Sequence, residues 1–226
     1  MFQRLPALIL LLLGLCATSA CTGAGAPAAA AREWKAGEDY ALVAPPVPTS
    51  TGDKVEVVEV FSYACPHCAH FQPYADELKS KLPANAQFVL VPAVFNAQWE
   101  PFARAFLTAQ ALGLVDKTHQ ALFDAIHRDH LPLASIDALA NWYAGYGATS
   151  GNFLSTANSF VIEAKMSHAN DLIRGYGVEA TPTLVVNGKY RVSANTQRGI
   201  GFPEMVQIAL SLVQQESAKP AAAAKK

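Results

Sequence analysis

Two cysteines separated by two residues stand where an apolar, β-branched run gives way to a helical pattern, and nothing else constrains this chain as strongly. Residues 54–63, KVEVVEVFSY, form a short and nearly continuous apolar run, as expected of a strand buried on both faces. Cys65-Pro66-His67-Cys68 follows at once, and a helix is predicted from there to about Leu82. Pro66 suits the first helical turn, where its missing N–H leaves no bond unmade. Cys65 then lies at a helix N-terminus, where unpaired N–H groups and the macrodipole favour a thiolate. Cys68 lies one turn deeper, aimed back at Cys65, and can resolve a mixed disulfide. His67 between them adds positive charge and hydrogen bonding near the Cys65 sulfur. Whatever stabilises that thiolate favours the reduced form and makes the disulfide a stronger oxidant.

Other uses of the pair fit less well. A c-type haem site needs His directly after the second cysteine, and Ala69 stands there. A zinc site needs two more ligands, and apart from nearby His70 no second cysteine pair exists; no metal or cofactor is expected. A purely structural disulfide is the third alternative, but closing so small a loop stabilises little.

The other two cysteines, Cys16 and Cys21, fall in or at the end of a leader. Residues 1–20 read as a secretory signal: Arg4 in the n-region, an apolar stretch at 7–15, and Thr18-Ser19-Ala20 as a small-residue cleavage site. The apolar stretch is roughly half the ~20 residues that a spanning helix needs. Cleavage before Cys21 would resemble a bacterial lipobox with that cysteine lipidated, although Thr18 stands where such boxes usually carry Leu. The alternative is ordinary cleavage between Ala20 and Ala31. Residues 21–32 read as a flexible linker and 216–226, ESAKPAAAAKK, as a solvated tail.

The 226 residues leave room for one large domain or two small ones. A net charge of −1 argues against a nucleic-acid partner, and 51% hydrophobic residues against disorder. A second strand is predicted at 87–93, QFVLVPA, so the chain begins β-α-β. Helices follow: 102–112 ending at Gly113, one carrying Val115, Leu122 and Ile126, one capped by Ser135 and reaching about Gly145, and one long helix at about 156–174. Strands return at 183–186 and 190–193 around Asn187-Gly188, a strong hairpin signal. A last helix begins at Pro203. The expected fold class is therefore α/β, with 33–98 and 175–215 forming one domain and the helices of 99–174 inserted into it.

FSYACPHCAHF, followed far downstream by GVEATPTLVVNGKY, resembles the DsbA family of bacterial periplasmic thiol oxidases. The resemblance covers about residues 33–215, including Gly37, Tyr40 and Leu42, the FNAQWEPFARAF segment and the helical insertion. It implies a thioredoxin fold with Thr181-Pro182 opposite the cysteines and a cis peptide before Pro182. The Thr181 backbone is then free to pair with an extended substrate. On residues alone, Thr181-Pro182 reads equally well as an ordinary turn before a strand. The resemblance also implies a periplasmic monomer that oxidises reduced, unfolded secreted proteins, soluble or, on the lipobox reading of the leader, tethered by a lipid at Cys21. A DsbB-like, quinone-linked membrane oxidase would restore its disulfide.

Glu59 lies six residues before Cys65 within the apolar strand, where desolvation raises a carboxyl pKa and suits it to exchange protons with Cys68. Glu56, nearer the strand start, is expected in water. Relatives keep an acid at Glu59, some pairing it with a lysine on the next strand; that strand has none here, which leaves Glu59 alone or assisted by water and Gln87. His70 is expected on an exposed helical position, His127 and His130 at the polar end of a helix, and His168 in the core beside Val161 and Leu172. His119 shows nothing distinctive. Phe61, Tyr63, Phe71 and Trp99 read as core or as the lining of a substrate groove. The rival functions are an isomerase or reductase of the same fold, and a binding module that merely retains the disulfide.

The two readings of the leader separate on metabolic labelling with radiolabelled palmitate. Label that disappears in Cys21→Ser establishes the anchor, and an unlabelled wild type removes it.

Overall fold

In the computed structural model, which describes residues 32–219, the chain runs β1 (Ala41–Leu42), β2 (Val55–Phe61), α1 (Pro66–Lys81) and β3 (Ala86–Pro92). Five helices follow: α2 (Glu100–Ala111), α3 (Val115–His127), α4 (Ile136–Tyr143), α5 (Ser150–Ala157) and α6 (Phe160–Tyr176). The chain then returns through β4 (Thr183–Val186), β5 (Tyr190–Ser193) and α7 (Phe202–Ser217). The predicted signal, Cys16, Cys21, most of the linker and residues 220–226 lie outside the described residues.

The strands form one five-stranded sheet in the order β1-β5-β4-β2-β3. β2 pairs parallel with β3 along all seven residues and antiparallel with β4 over Val57–Val60, so its middle has neighbours on both edges. Both its faces are covered as well, and every one of the seven is buried. Strand periodicity sends alternate side chains to opposite faces. Val55 and Val57 pack with Phe71, Leu78, Met205 and Leu212 of α1 and α7. Val58 and Val60 pack with Ala169, Ile173 and Tyr176 of α6 on the other face. A third core, among α2 to α6, reaches Phe61, Tyr63 and both cysteines. The helical block is thus joined to the sheet directly beside the cysteine pair.

Local chemistry explains most element ends. Ser135 caps α4 through its hydroxyl, and Gly113 takes a left-handed φ of 68° after α2. The β4–β5 turn has positive φ at both Asn187 (52°) and Gly188 (62°), the geometry an Asn-Gly hairpin requires. Gly188 is also required by space, because a Cβ there would lie 1.9 Å from the Val47 carbonyl oxygen.

Several expectations need correction. The long helix expected at about 156–174 is two helices: Ser159 accepts a hydrogen bond from the Ile162 N–H and starts α6 afresh after α5. That change of phase puts Ile162, Met166, Ala169 and Ile173 inward, so Val161 and His168 are exposed rather than core. β1 was not anticipated, being only two residues long.

Glu216, placed in the solvated tail, is the penultimate residue of α7 and is buried. Its carboxylate accepts bonds from Asn187 Nδ2 (2.7 Å), Lys189 Nζ (2.5 Å), the Tyr190 hydroxyl (2.9 Å) and Lys219 Nζ. Burial pushes this carboxyl up, but the four donors outweigh it and hold the group at about 2. The contact ties the last helix to the hairpin.

A carboxyl held below its ordinary value contributes stability that is present above about pH 4.5 and is lost as the pH falls towards 2. Glu216→Ala is expected to cost about 1–3 kcal/mol at pH 7. In urea denaturation the difference between variant and parent should shrink below pH 4.

Candidate active site

β2 delivers the chain to the site. After Phe61 the backbone turns sharply, with the Cys65 N–H donating to the Ser62 carbonyl (3.1 Å). Cys65 takes an extended conformation (φ −93°, ψ 114°) and is the N-cap of α1, with Pro66 as the first helical residue. No side-chain oxygen caps this end, so the Cys65 sulfur occupies the position that a Ser or Asp oxygen takes in most helices. Pro66 and His67 are exposed, whereas Cys65 (5% exposed) and Cys68 (0%) are buried and are both free thiols.

The two sulfurs are electrostatically unequal. Donation from the Cys68 thiol is the largest influence on Cys65; the Cys68 and His67 N–H groups add to it. Together they outweigh the opposing effect of burial and bring Cys65 down to about 5. Cys68 goes the other way, pushed far up by burial first and then by the neighbouring Cys65. At neutral pH the reduced site therefore holds one thiolate and one thiol, with the thiolate on the more accessible sulfur.

Thr181 and Pro182 come from the other end of the chain. The Cys65 Sγ lies 3.5 Å from the Thr181 carbonyl oxygen, across 116 residues of sequence. The Thr181–Pro182 peptide is cis, as the resemblance implies. Beside it His67, Ala180, Pro182, Ala194 and Phe202 help line a mostly apolar cleft of about 380 Å³.

Glu59 is more extreme than its place in the sequence suggests. It is 0% exposed, and neither carboxylate oxygen accepts a hydrogen bond. Burial raises it to about 8; Lys79 pulls it part-way back, Asp76 opposes Lys79, and the Gln72 side chain assists Lys79. Gln87 is not its helper: Leu90 is the β3 residue opposite Glu59, while Gln87 is opposite Glu56 and exposed. The positive charge comes instead from Lys79 in the last turn of α1. Glu56 also differs from expectation. It is buried on the other face of β2, and its carboxylate accepts from the Ser50 N–H (2.8 Å) and hydroxyl (2.6 Å).

Sequence reasoning passed over two histidines of α3. His119 is buried at 8% exposure, its Nδ1 2.9 Å from the Tyr63 hydroxyl, and burial lowers its pKa to about 3. His127 Nε2 donates to the Tyr63 carbonyl at 2.7 Å. The only available signal was their spacing, eight residues along one helix face. Phe61, Tyr63 and Phe71 are core, and Trp99 is half-buried against Phe95. His70 is exposed, as expected. Among the described residues no group of three or more His, Cys, Asp or Glu side chains is placed to hold a metal.

The thioredoxin family model matches residues 50–201. A thiol:disulfide interchange protein DsbA of Pseudomonas aeruginosa is 41% identical over 191 residues, covering 84% of this chain and 90% of its own. The Azotobacter vinelandii protein of the same name is 39% identical, covering 80% and 84%. Among solved structures, a variant of the Pseudomonas aeruginosa DsbA superimposes with a TM-score of 0.78 at 40% identity, covering 83% of this chain and all of that one. The oxidoreductase DsbA of Xylella fastidiosa gives 0.76 at 38% identity, covering 81% and 97%.

An acid with a raised pKa gives stability that is fully present below its unfolded value and lost as the pH rises through the folded one. For Glu59 that window runs from about 4.5 to about 8. Glu59→Gln has no proton to lose. In urea titrations of the reduced proteins it should match the parent's pH trend below pH 4.5. Its relative stability should then rise by about 4 kcal/mol by pH 8. A flat difference across that range would mean that Glu59 is ionised in the fold.

Proposed function

This chain belongs to the DsbA family of thiol:disulfide interchange proteins, and from that premise we propose how its site transfers a disulfide to another protein. The chain is a thiol:disulfide oxidoreductase with the thioredoxin fold and a helical insert. The observation that carries the mechanism is the inequality of the two sulfurs, a stabilised thiolate on Cys65 and a buried thiol on Cys68.

A substrate thiolate attacks the Cys65 sulfur of the Cys65–Cys68 disulfide. A substrate–Cys65 bond forms, the bond between the two cysteines breaks, and Cys68 leaves with the electron pair. The Cys68 environment disfavours a thiolate, so this sulfur must gain a proton; Glu59, still carrying one near neutral pH, is the nearby acid suited to supply it. A second substrate thiolate attacks its partner sulfur in the mixed disulfide. Cys65 leaves as the thiolate that the helix end stabilises, which makes it a good leaving group. Two electrons pass from the substrate dithiol to the enzyme, and the substrate leaves with its own disulfide.

Pro66 lets α1 begin directly after Cys65, and the His67 N–H is among the groups that stabilise the sulfur. Thr181 and Pro182 form the opposite wall. An extended peptide paired with the Thr181 backbone and resting in the apolar cleft is held without a demand on its side chains, which suits substrates that are varied, reduced and unfolded. We place the protein in the periplasm as a monomer, reoxidised by a DsbB-like quinone-linked membrane oxidase, with Cys21 as the candidate lipid attachment. No helix among the described residues is long and apolar enough to cross a membrane.

Equilibration with glutathione tests the oxidase reading. The isolated domain should remain reduced in mildly oxidising mixtures, and a potential near that of a cytosolic thioredoxin contradicts the assignment. Cys65→Ser should abolish oxidation of a reduced, unfolded model protein, whereas a binding module would keep its function. The thiolate also makes the reduced form the more stable at pH 7. Because the folded Cys65 pKa is depressed, that surplus is lost as the pH falls through about 5. Equal denaturation midpoints for the two forms at pH 7 would sink the mechanism.

A further inference from the structure

Tyr63 stands two residues before Cys65, inside the turn that leads from β2 to the helix end, and α3 of the helical insertion holds it at three points. His127 Nε2 donates to its carbonyl at 2.7 Å. The His119 Nδ1 meets its hydroxyl at 2.9 Å. Phe123, between the two histidines, meets the Tyr63 ring edge-to-face with centroids 4.9 Å apart. The three residues recur at i, i+4 and i+8 and so share one face of the helix. Phe123 packs against both histidine rings as well, at 5.2 Å from His119 and 6.1 Å from His127.

This grip is unlike ordinary core packing in one respect. A turn residue between a strand and a helix has a carbonyl that neither element satisfies, and a half-buried carbonyl without a partner is costly. Here the donor is a side chain from a different part of the fold, 64 residues away. The ring is fixed by its hydroxyl and its edge, the backbone by its carbonyl, so that neither the χ angles nor the peptide plane of Tyr63 can turn independently. The next but one residue carries the reacting sulfur.

We propose that His127, supported by His119 and Phe123, is a positioning residue for the Cys65 turn, through which the inserted helices set the reactivity of the Cys65 sulfur. The sulfur gains its stabilisation from directional contacts, the Cys68 thiol and the Cys68 and His67 N–H groups, and it lies 3.5 Å from the Thr181 carbonyl oxygen. Such contacts weaken steeply when donor and acceptor move out of line. A Tyr63 peptide released from His127 lets the Ser62–Cys65 turn relax, and the sulfur drifts from those donors. The helical insertion is then more than a cover for the site. It is one jaw of a clamp whose other side is the sheet.

The inference rests on the assignment of Cys65 as the attacked sulfur, and one pair of titrations keeps the two apart. The Cys65 thiolate is followed by its ultraviolet absorbance against pH, and the glutathione equilibrium is measured on the same proteins. Wild type that titrates as an ordinary thiol overturns the assignment itself. With wild type low, His127→Ala should raise the Cys65 pKa by about one unit and disfavour the reduced form about tenfold in glutathione. His127→Gln, which retains a side-chain N–H donor, should restore most of both. His127→Phe retains a ring against Phe123 and removes only the donor, so it carries the test where the alanine variant does not fold. A folded His127→Phe with the wild-type thiolate pKa and glutathione equilibrium overturns the clamp.

Discussion

The first turn of α1 presents backbone N–H groups with no side-chain oxygen to receive them, and the Cys65 sulfur stands in that place. A helix end is stabilised by negative charge, and a thiolate is the only charge this N-cap can provide. Helix and sulfur therefore favour each other. The reduced site keeps the helix end satisfied, while a disulfide takes the charge away. This exchange adds to the larger effect of the Cys68 thiol, and together they favour the reduced state and the oxidising power of the disulfide. Much of the surrounding structure holds the sulfur in place: Pro66 begins the helix at once, Thr181 closes the opposite side, and Cys68 offers its own thiol from below.

Beneath the sulfurs the requirement is reversed. Cys68 and Glu59 are enclosed in the core, where neither readily carries charge. Cys68 is on the buried side of α1, and Glu59 sits where β2 is paired on both edges and covered on both faces. An acid in such a strand is normally a defect, and an unpaired one is costly. Here it stays neutral near neutral pH, next to a chemistry that releases and takes up protons. Glu56 makes the comparison within the same strand. It is just as deeply buried, but Ser50 gives its carboxylate two hydrogen bonds, and it belongs to the face away from α1.

The helical insertion is fastened at the same place. Its core is continuous with Phe61, Tyr63 and the cysteines. α6 covers the far face of β2, and α3 reaches the turn before Cys65. Away from the cysteines, Glu216 joins α7 to the hairpin through Asn187, Lys189 and Tyr190. One buried carboxylate is thus fully partnered and held well below its ordinary value, and another is unpartnered and raised above it. The difference lies in the donors around each, not in the depth of burial.

The sequence by itself determined the chemistry and the order of the elements. CPHC after a β-branched run fixes a dithiol at a strand-to-helix junction, because the strand pattern, Pro66 and the cysteine spacing are all local. Asn187-Gly188 fixes the hairpin for the same reason, since the turn geometry belongs to those two residues. Only the tertiary structure decided what faces what. Periodicity alone could not split α5 from α6, because the break depends on the Ser159 cap, and His168 was misplaced as a result. It could not show that Glu59 takes its positive neighbour from Lys79 on α1, nor that His119 and His127 meet Tyr63. These contacts join residues far apart in the chain, and their geometry exists only once the sheet and helices have packed. A residue type states which bonds it can make; which of them it makes is settled by what packing brings within 3 Å.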